Sequence, residues 1–322
     1  MIINMKSTKN NKSIKNQIES ITAPDNLVIS NTKWKYLVRS ALKGKNILMV
    51  GPTGCGKTIV SMILAETLDK KFFKFNMGST QDARSALIGN THYDKSTGTI
   101  FNESTFVRAI QTPNSIILLD EVSRAHHDAW NILMTVLDPI QRYIRLDEKR
   151  ESEVIRVAEG VTFIGTANIG NEYTATRVMD RALMNRFPVK IEMEPMSKNE
   201  ELNFMIRKYK INTKDVVEFN TISSICDIAA HTREQVKLDD GRLTNFLSTR
   251  SVEEMAELIT DGFSLEEIAE AAIYPEFSND GGVESERTYV KQLVQKYVPD
   301  QSTSDPLTID PLDPSNNTQP PF

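Results

Sequence analysis

Apolar residues in the first two thirds of the chain fall in short unbroken runs, set apart by stretches with helical spacing. The runs predict strands at 46–50, 71–76, 115–120, 161–166 and 188–192. A run such as Ile116-Ile117-Leu118-Leu119 is too short for a helix and apolar at consecutive positions, as a strand buried on both faces is. Between the runs, Ile59–Leu68 reads as a helix, and Asn31–Lys43 sets Trp34, Leu37, Val38 and Leu42 on one helical face. Alternating strands and helices predict a mostly parallel five-stranded sheet with right-handed crossovers, an α/β domain over 23–195. From about Met196 the short runs give way to helical periodicity at 197–209, 215–233, 251–261, 264–273 and 284–297. That pattern predicts a smaller all-helical domain over 196–298. Ser251-x-x-Glu254 and Ser264-x-x-Glu267 read as capping boxes that open two of its helices.

Two segments exceed a minimal α/β alternation. Leu87–Phe101 reads as a hairpin turning at Asp94-Lys95-Ser96-Thr97-Gly98, and Arg142–Val157 as another around the charged tip Asp147-Glu148-Lys149-Arg150. Residues 1–22, rich in Lys and Asn, read as a flexible polar arm. Residues 299–322 carry four aspartates, several prolines and no basic residue, the composition of a disordered tail.

Composition narrows the class only slightly. The chain has 322 residues, 39% hydrophobic and 25% charged, as globular domains do. A net charge of −5 gives no overall electrostatic reason for tight nucleic-acid binding. Two cysteines, Cys55 and Cys226, without a C-x-x-C argue against a zinc site or a disulfide framework. The polar N-terminus and the absence of an apolar run near the ~20 residues of a membrane span lead to an expected cytoplasmic location.

The chemistry is concentrated at the ends of three predicted strands. Gly51-Pro52-Thr53-Gly54-Cys55-Gly56-Lys57-Thr58 follows the first and precedes a helix, the arrangement of a phosphate-binding loop. Its glycines let consecutive backbone N–H groups face one anion, the helix N-terminus adds partial positive charge, and Cys55 fills a small position. Lys57 is expected to reach the outer phosphates and the Thr58 hydroxyl to ligate Mg²⁺. The third strand ends in Asp120-Glu121, which puts two carboxylates on the rim where open α/β sheets bind ligands. Asp120 is then a second Mg²⁺ ligand, commonly through water, and Glu121 the group that polarises the attacking water. The fourth strand ends in Asn168 on the same rim, suited to orienting that water or touching the γ-phosphate. Arg181 and Arg186 lie just before the last strand, away from the chain's own phosphates, where an arginine is useful to nucleotide held by a neighbouring subunit.

With these residues assembled, the chain resembles the AAA+ ATPases from about residue 31 to 275. Within them it is similar to the group with a hairpin inserted in the second helix: MoxR-like ATPases, dynein-related modules and the small subunit of aerobic cobaltochelatase. The resemblance identifies Gly51–Thr58 as Walker A and Asp120-Glu121 as Walker B. It places Asn168 at sensor 1, Arg186 at the arginine finger, Arg250 at sensor 2 on a lid helix, and Arg181 as a second trans-acting arginine. It implies ATP and Mg²⁺ as cofactors and a homo-oligomer, a hexameric ring with ATP between subunits. It also implies a protein client, such as a von Willebrand-type domain protein carried on another chain. No N-K-x-D guanine motif is present, which favours ATP over GTP, and Asn185 stands where many relatives have an acidic residue. Three kinds of work stay open at this point: remodelling of a protein, nucleic-acid translocation, and an ATP-gated scaffold with slow turnover. The acidic neighbours of Lys149 and Arg150 favour protein.

Overall fold

The computed structural model describes residues 14–79, 82–96, 98–147, 149, 152–168, 179–238 and 240–298. Five parallel strands form the central sheet: β1 (Ile47–Val50), β2 (Lys71–Asn76), β5 (Ser115–Asp120), β8 (Thr162–Ala167) and β9 (Val189–Glu192), in the order β2-β5-β8-β1-β9. The predicted runs and these strands agree to within one residue at each end. Burial explains the agreement. In β5, Ile116, Ile117, Leu118 and Leu119 are all fully buried, with alternate residues joining the clusters on opposite faces of the sheet.

On one face lie α1 (Asn31–Leu42) and α2 (Lys57–Thr67). Trp34, Leu37, Val38 and Ala41 of α1 are wholly buried, and Ser30 caps the helix by accepting from the Lys33 amide. The other face carries α3 (Ala83–Leu87), α4 (Thr105–Ile110), α5 (His127–Val136) and α6 (Arg181–Asn185). Two antiparallel hairpins leave this layer, β3 (Gly89–Asp94) with β4 (Gly98–Glu103) and β6 (Tyr143–Leu146) with β7 (Glu153–Arg156).

Residues 14–22 of the span read as a flexible polar arm are packed on the α/β domain, and residues 1–13 lie outside the described residues. From residue 14 the chain is helical to 20, Ile18 and Ile21 pack against the α1 face, and the Trp34 indole donates to the Ile21 carbonyl at 3.2 Å. Two isoleucines that meet an aromatic core outweigh a polar average. The predicted acidic tail lies outside the described residues, as do Thr97 of the first hairpin turn and Glu148 and Arg150 of the second hairpin tip.

Beyond β9 the described residues contain no further strand. Helices α7 (Lys198–Tyr209), α8 (Val216–Lys237), α9 (Thr249–Thr260), α10 (Leu265–Ile268) and α11 (Glu286–Gln295) enclose a second core around Ile225, Met255 and Ile273. Ser264 and Glu267 form a capping box, as do Ser197 and Glu200. Ser251 and Glu254 do not, because α9 begins a turn earlier with Ser248 as its cap. Glu201 and Arg233 form a buried bidentate pair at 2.9 and 2.8 Å, and Arg233 Nε donates to the Leu247 carbonyl at 2.8 Å. Leu247 also donates its amide to the Thr232 hydroxyl, so the residue before Ser248 is held from both sides.

Candidate nucleotide site

The loop Gly51–Gly56 turns from β1 into α2, which begins at Lys57. Its entrance is tight: a Cβ on Gly51 would meet the Met193 carbonyl oxygen at 2.1 Å. Gly54 holds a left-handed φ of +79°, and a Cβ there would meet Ser248 Cβ at 2.9 Å. The helical region therefore packs directly on the loop, and Arg250 follows two residues later, exposed in the first turn of α9. Lys57 is buried, its ammonium donating to the Gly51 and Pro52 carbonyls at 2.7 Å each and lying 3.6 Å from Cys55 Sγ. Burial lowers its pKa, against the opposing pull of Cys55, Asp120 and Glu121. Burial raises the Cys55 pKa despite the nearby Lys57 charge, which keeps the sulfur a thiol near neutrality.

Asp120, at the end of β5, is the most heavily engaged carboxylate of this rim. The Thr166 hydroxyl donates to Oδ1 at 2.6 Å, while Thr58 donates to Oδ2 at 3.4 Å. The Lys74 ammonium lies 2.8 Å from the same Oδ2. Burial pushes the Asp120 carboxyl up, but the hydrogen bonds from Lys74 and Thr166 outweigh it and hold the group below the usual carboxylate range. Thr166 has a second task, since its hydroxyl accepts from the Glu121 amide at 2.9 Å. Glu121 has a left-handed φ of 55°, and its carboxylate lies 3.2 Å from Arg124 and over Gly78, where a Cβ would meet Oε2 at 2.6 Å. Glycine at 78 therefore leaves the room Glu121 needs.

Asn168, just past β8, donates to the Thr53 hydroxyl at 3.3 Å, which joins it to the loop. Loop amides, the Thr58 hydroxyl paired with the Asp120 carboxylate, and an amide at the loop's edge make a donor set of hard oxygens and N–H groups. Such a set fits a polyphosphate with a divalent cation, which Thr58 and Asp120 would hold. His126 and His127 serve the fold instead: His126 Nδ1 accepts from the Asp128 amide, and His127 packs edge-on against Trp130.

The structure separates Arg186 and Arg181 from this cluster. Arg186 ends α6 at the opposite rim, where its carbonyl accepts from Asn46 Nδ2 at 2.9 Å, immediately before β1. The four residues of β1 put about 13 Å of strand between that point and the loop. Arg186 lies 3.4 Å from Asp138, donates to the Ala182 carbonyl at 3.2 Å, and leaves its buried Nε without a partner. It lines a hollow of 680 Å³ together with Lys43, Lys45, Asn46, Arg142 and Glu159. Arg181 is exposed at the first position of α6, capped by Asp180.

Sequence reasoning passed over Thr166, Lys74 and Arg124. Thr166 stood in the sequence beside Asn168 as a polar residue closing an apolar strand, a signal that was available. Lys74 became visible only through the pairing of β2 with β5.

Among the described residues no cluster has metal-site composition of three His, Cys, Asp or Glu, and no helix is long and apolar enough to cross a membrane. Residues 46–187 match the AAA domain of the dynein-related subfamily, and residues 211–296 match the CbbQ/NirQ/NorQ C-terminal family. BssE of Thauera aromatica, named as a candidate chaperone, is 28% identical over 229 residues, covering 71% of this chain and 74% of its own. A mitochondrial Lon protease homologue of Dictyostelium discoideum is 32% identical over 177 residues, 53% of this chain and 18% of its own length. A solved Thermotoga maritima RuvB mutant superposes with a TM-score of 0.48 at 14% identity, covering 79% of this chain and 72% of that one. Two consecutive family matches, on a five-stranded P-loop sheet followed by a helical region, give the chain an AAA+ module: an AAA domain of the dynein-related subfamily with a CbbQ/NirQ/NorQ C-terminal region.

Proposed function

We propose that the chain binds ATP with Mg²⁺, hydrolyses it between subunits of a homo-oligomeric ring of hexameric type, and uses the cycle to remodel a protein partner. The observation that carries this reading is the convergence of the loop, Lys57, Thr58, Asp120, Glu121 and Asn168 on one rim while Arg186 lies at the other. The loop amides and the α2 N-terminus hold the phosphates, and Lys57 exchanges its two loop carbonyls for phosphate oxygens. Thr58 and Asp120 would hold Mg²⁺, which when bound would supply positive charge to the phosphate oxygens. Glu121 orients a water and takes up its proton, and Asn168 steadies the loop edge and that water. Arg186 of a neighbouring copy supplies positive charge to the transferring phosphoryl group, with Arg181 beside it, and Arg250 reports the γ-phosphate to the helical region.

Protein is favoured over nucleic acid as the client by the ion pairing of the second hairpin tip. Lys149 lies 2.7 Å from Glu103 of the first hairpin and 2.6 Å from Glu153 of its own, so its charge is matched before any phosphate arrives. BssE's naming as a chaperone points the same way.

A mixing experiment tests the division of labour. Lys57→Ala subunits lack nucleotide but keep Arg186, whereas Arg186→Ala subunits hold nucleotide without the trans arginine. Each alone is expected to be inactive, and the mixture to regain turnover. Failure to regain it in a mixed assembly confirmed by size would reject Arg186 as the trans-acting group. Tagged Glu121→Gln protein loaded with ATP is the trap for the client, and recovery of nuclease-sensitive DNA or RNA would replace the protein-remodelling reading with a nucleic-acid motor.

A further inference from the structure

Lys74 enters the site from the edge strand. The register pairs Lys74 with Leu118 and Asn76 with Asp120, so Lys74 and Asp120 are diagonal neighbours on the face that carries α2. The two oxygens of Asp120 are treated differently. Oδ1 is taken by a neutral donor, the Thr166 hydroxyl at 2.6 Å. Oδ2, the oxygen turned to Thr58, carries the Lys74 ammonium at 2.8 Å. The cation therefore sits on the one oxygen that faces the other candidate metal ligand. Asp120 is 15% exposed and Lys74 46% exposed, so the carboxylate is fixed while the lysine stem is free to swing toward solvent.

We propose that Lys74 is a built-in cation that competes with Mg²⁺ for Asp120 Oδ2 and thereby sets the divalent-cation requirement of the nucleotide site. This rests on the assignment of Thr58 and Asp120 as the metal-holding pair. An ammonium and a divalent cation on one carboxylate oxygen repel each other, and the mobile partner is the one that yields. Arrival of the metal then displaces Lys74, whereas nucleotide without metal meets a rim whose carboxylate is already neutralised. Lys74 thus lowers the repulsion between Asp120 and metal-free phosphates while raising the metal concentration needed to complete the site. It is a positioning residue and takes no part in the bond-making step.

The test reads metal binding directly. Mn²⁺ is titrated by electron paramagnetic resonance against wild type, Lys74→Met, Lys74→Arg and Asp120→Asn, each with a non-hydrolysable ATP analogue. Lys74→Met is expected to lower the half-saturating Mn²⁺ concentration by on the order of tenfold, the effect of removing one like-charged neighbour at a partly exposed site. It is also expected to weaken binding of the analogue in chelator. Lys74→Arg should stay near wild type. An unchanged or higher Mn²⁺ requirement in Lys74→Met, with Asp120→Asn losing Mn²⁺, overturns the proposal and leaves the metal site standing. Mn²⁺ binding that survives Asp120→Asn overturns the metal-site assignment itself, and the proposal falls with it.

Discussion

The two rims of the central sheet satisfy their polar groups to very different degrees. At the carboxyl ends of the strands, Asp120 has Thr58, Thr166 and Lys74, Lys57 has two carbonyls, and Asn168 has Thr53. At the amino ends, Asn46 Oδ1 and Arg186 Nε are buried without a partner, beside a hollow lined by several cations. Buried polar atoms left unpaired are rare and costly in native proteins. The carboxyl rim is complete in its proposed cis residues within a single chain, Ser123 Oγ aside, whereas the amino rim holds Arg186 apart from them with its Nε buried and unpaired. On the proposed reading the two halves of the catalytic machinery cannot meet in one copy, which is why that reading calls on a neighbouring subunit.

The largest effect should come from the incomplete rim. Arg186→Ala is expected to lower turnover by roughly 10³–10⁵ with ATP affinity nearly intact, as for trans-acting arginines in other NTPases. Lys57→Ala should do the reverse and weaken nucleotide binding itself, read by equilibrium binding of a fluorescent analogue. If both variants lose affinity equally, the rims are not functionally distinct and the comparison fails.

A second prediction concerns what presents the lid to the loop. Removing one partner of a buried ion pair costs about 3–5 kcal/mol, because the other charge is left behind. Arg233→Ala should therefore destabilise the helical region by that order in chemical denaturation, freeing Leu247 and with it the Ser248 contact on Gly54. Replacing Glu201 and Arg233 together by apolar residues of similar volume should cost less than either single change. Equal costs for the single and double variants would show that the pair is not what holds this segment.

Thr166→Val sharpens the complete rim at a smaller scale. It strips Asp120 of a donor and leaves the Glu121 amide without its acceptor, a loss of about 1–3 kcal/mol. Turnover should fall more than stability alone explains, because Glu121 occupies an unfavourable left-handed backbone fixed partly by that amide bond. A variant that unfolds at lower denaturant yet turns over normally would limit Thr166 to a structural role.

How much of this was legible in sequence differs between the two rims in the same way. The phosphate loop and the Asp120-Glu121 pair are contiguous, so their chemistry can be read along the chain. The limits of β1, β5 and β8 were legible too, since their consecutive buried residues mark strands enclosed on both faces. Lys74 and Thr166 reach Asp120 only through the order β2-β5-β8, which no local pattern encodes. The start of α9 was misplaced because Ser248, Thr249 and Ser251 are all acceptable caps. Packing decided among them: Ser248 meets Gly54 and Thr249 is buried. The capping box at Ser197 was present in the letters and went unread. The helix before α1 was hidden by a polar composition in which only Ile18 and Ile21 find the core.

The smallest expected effect is also the finest probe of the incomplete rim. Asp138 caps its own turn by accepting from the Ile140 and Gln141 amides at 2.9 and 3.1 Å, and these bonds, with the weaker pull of Arg186, hold its carboxyl below the usual range. Its contact with Arg186 is long, at 3.4 Å, and both groups are partly open to water, so the pair adds little to stability. Asp138→Asn keeps a turn-capping oxygen and removes the charge. If Asp138 merely holds Arg186 back within its own subunit, the variant should show turnover equal to wild type or up to a few times faster, with stability changed little. If the carboxylate instead aims the guanidinium at a neighbour's phosphates, turnover should fall while ATP affinity stays constant. The two signs separate restraint from orientation, and a steady-state assay on the assembled variant, paired with its denaturation midpoint, reads the difference.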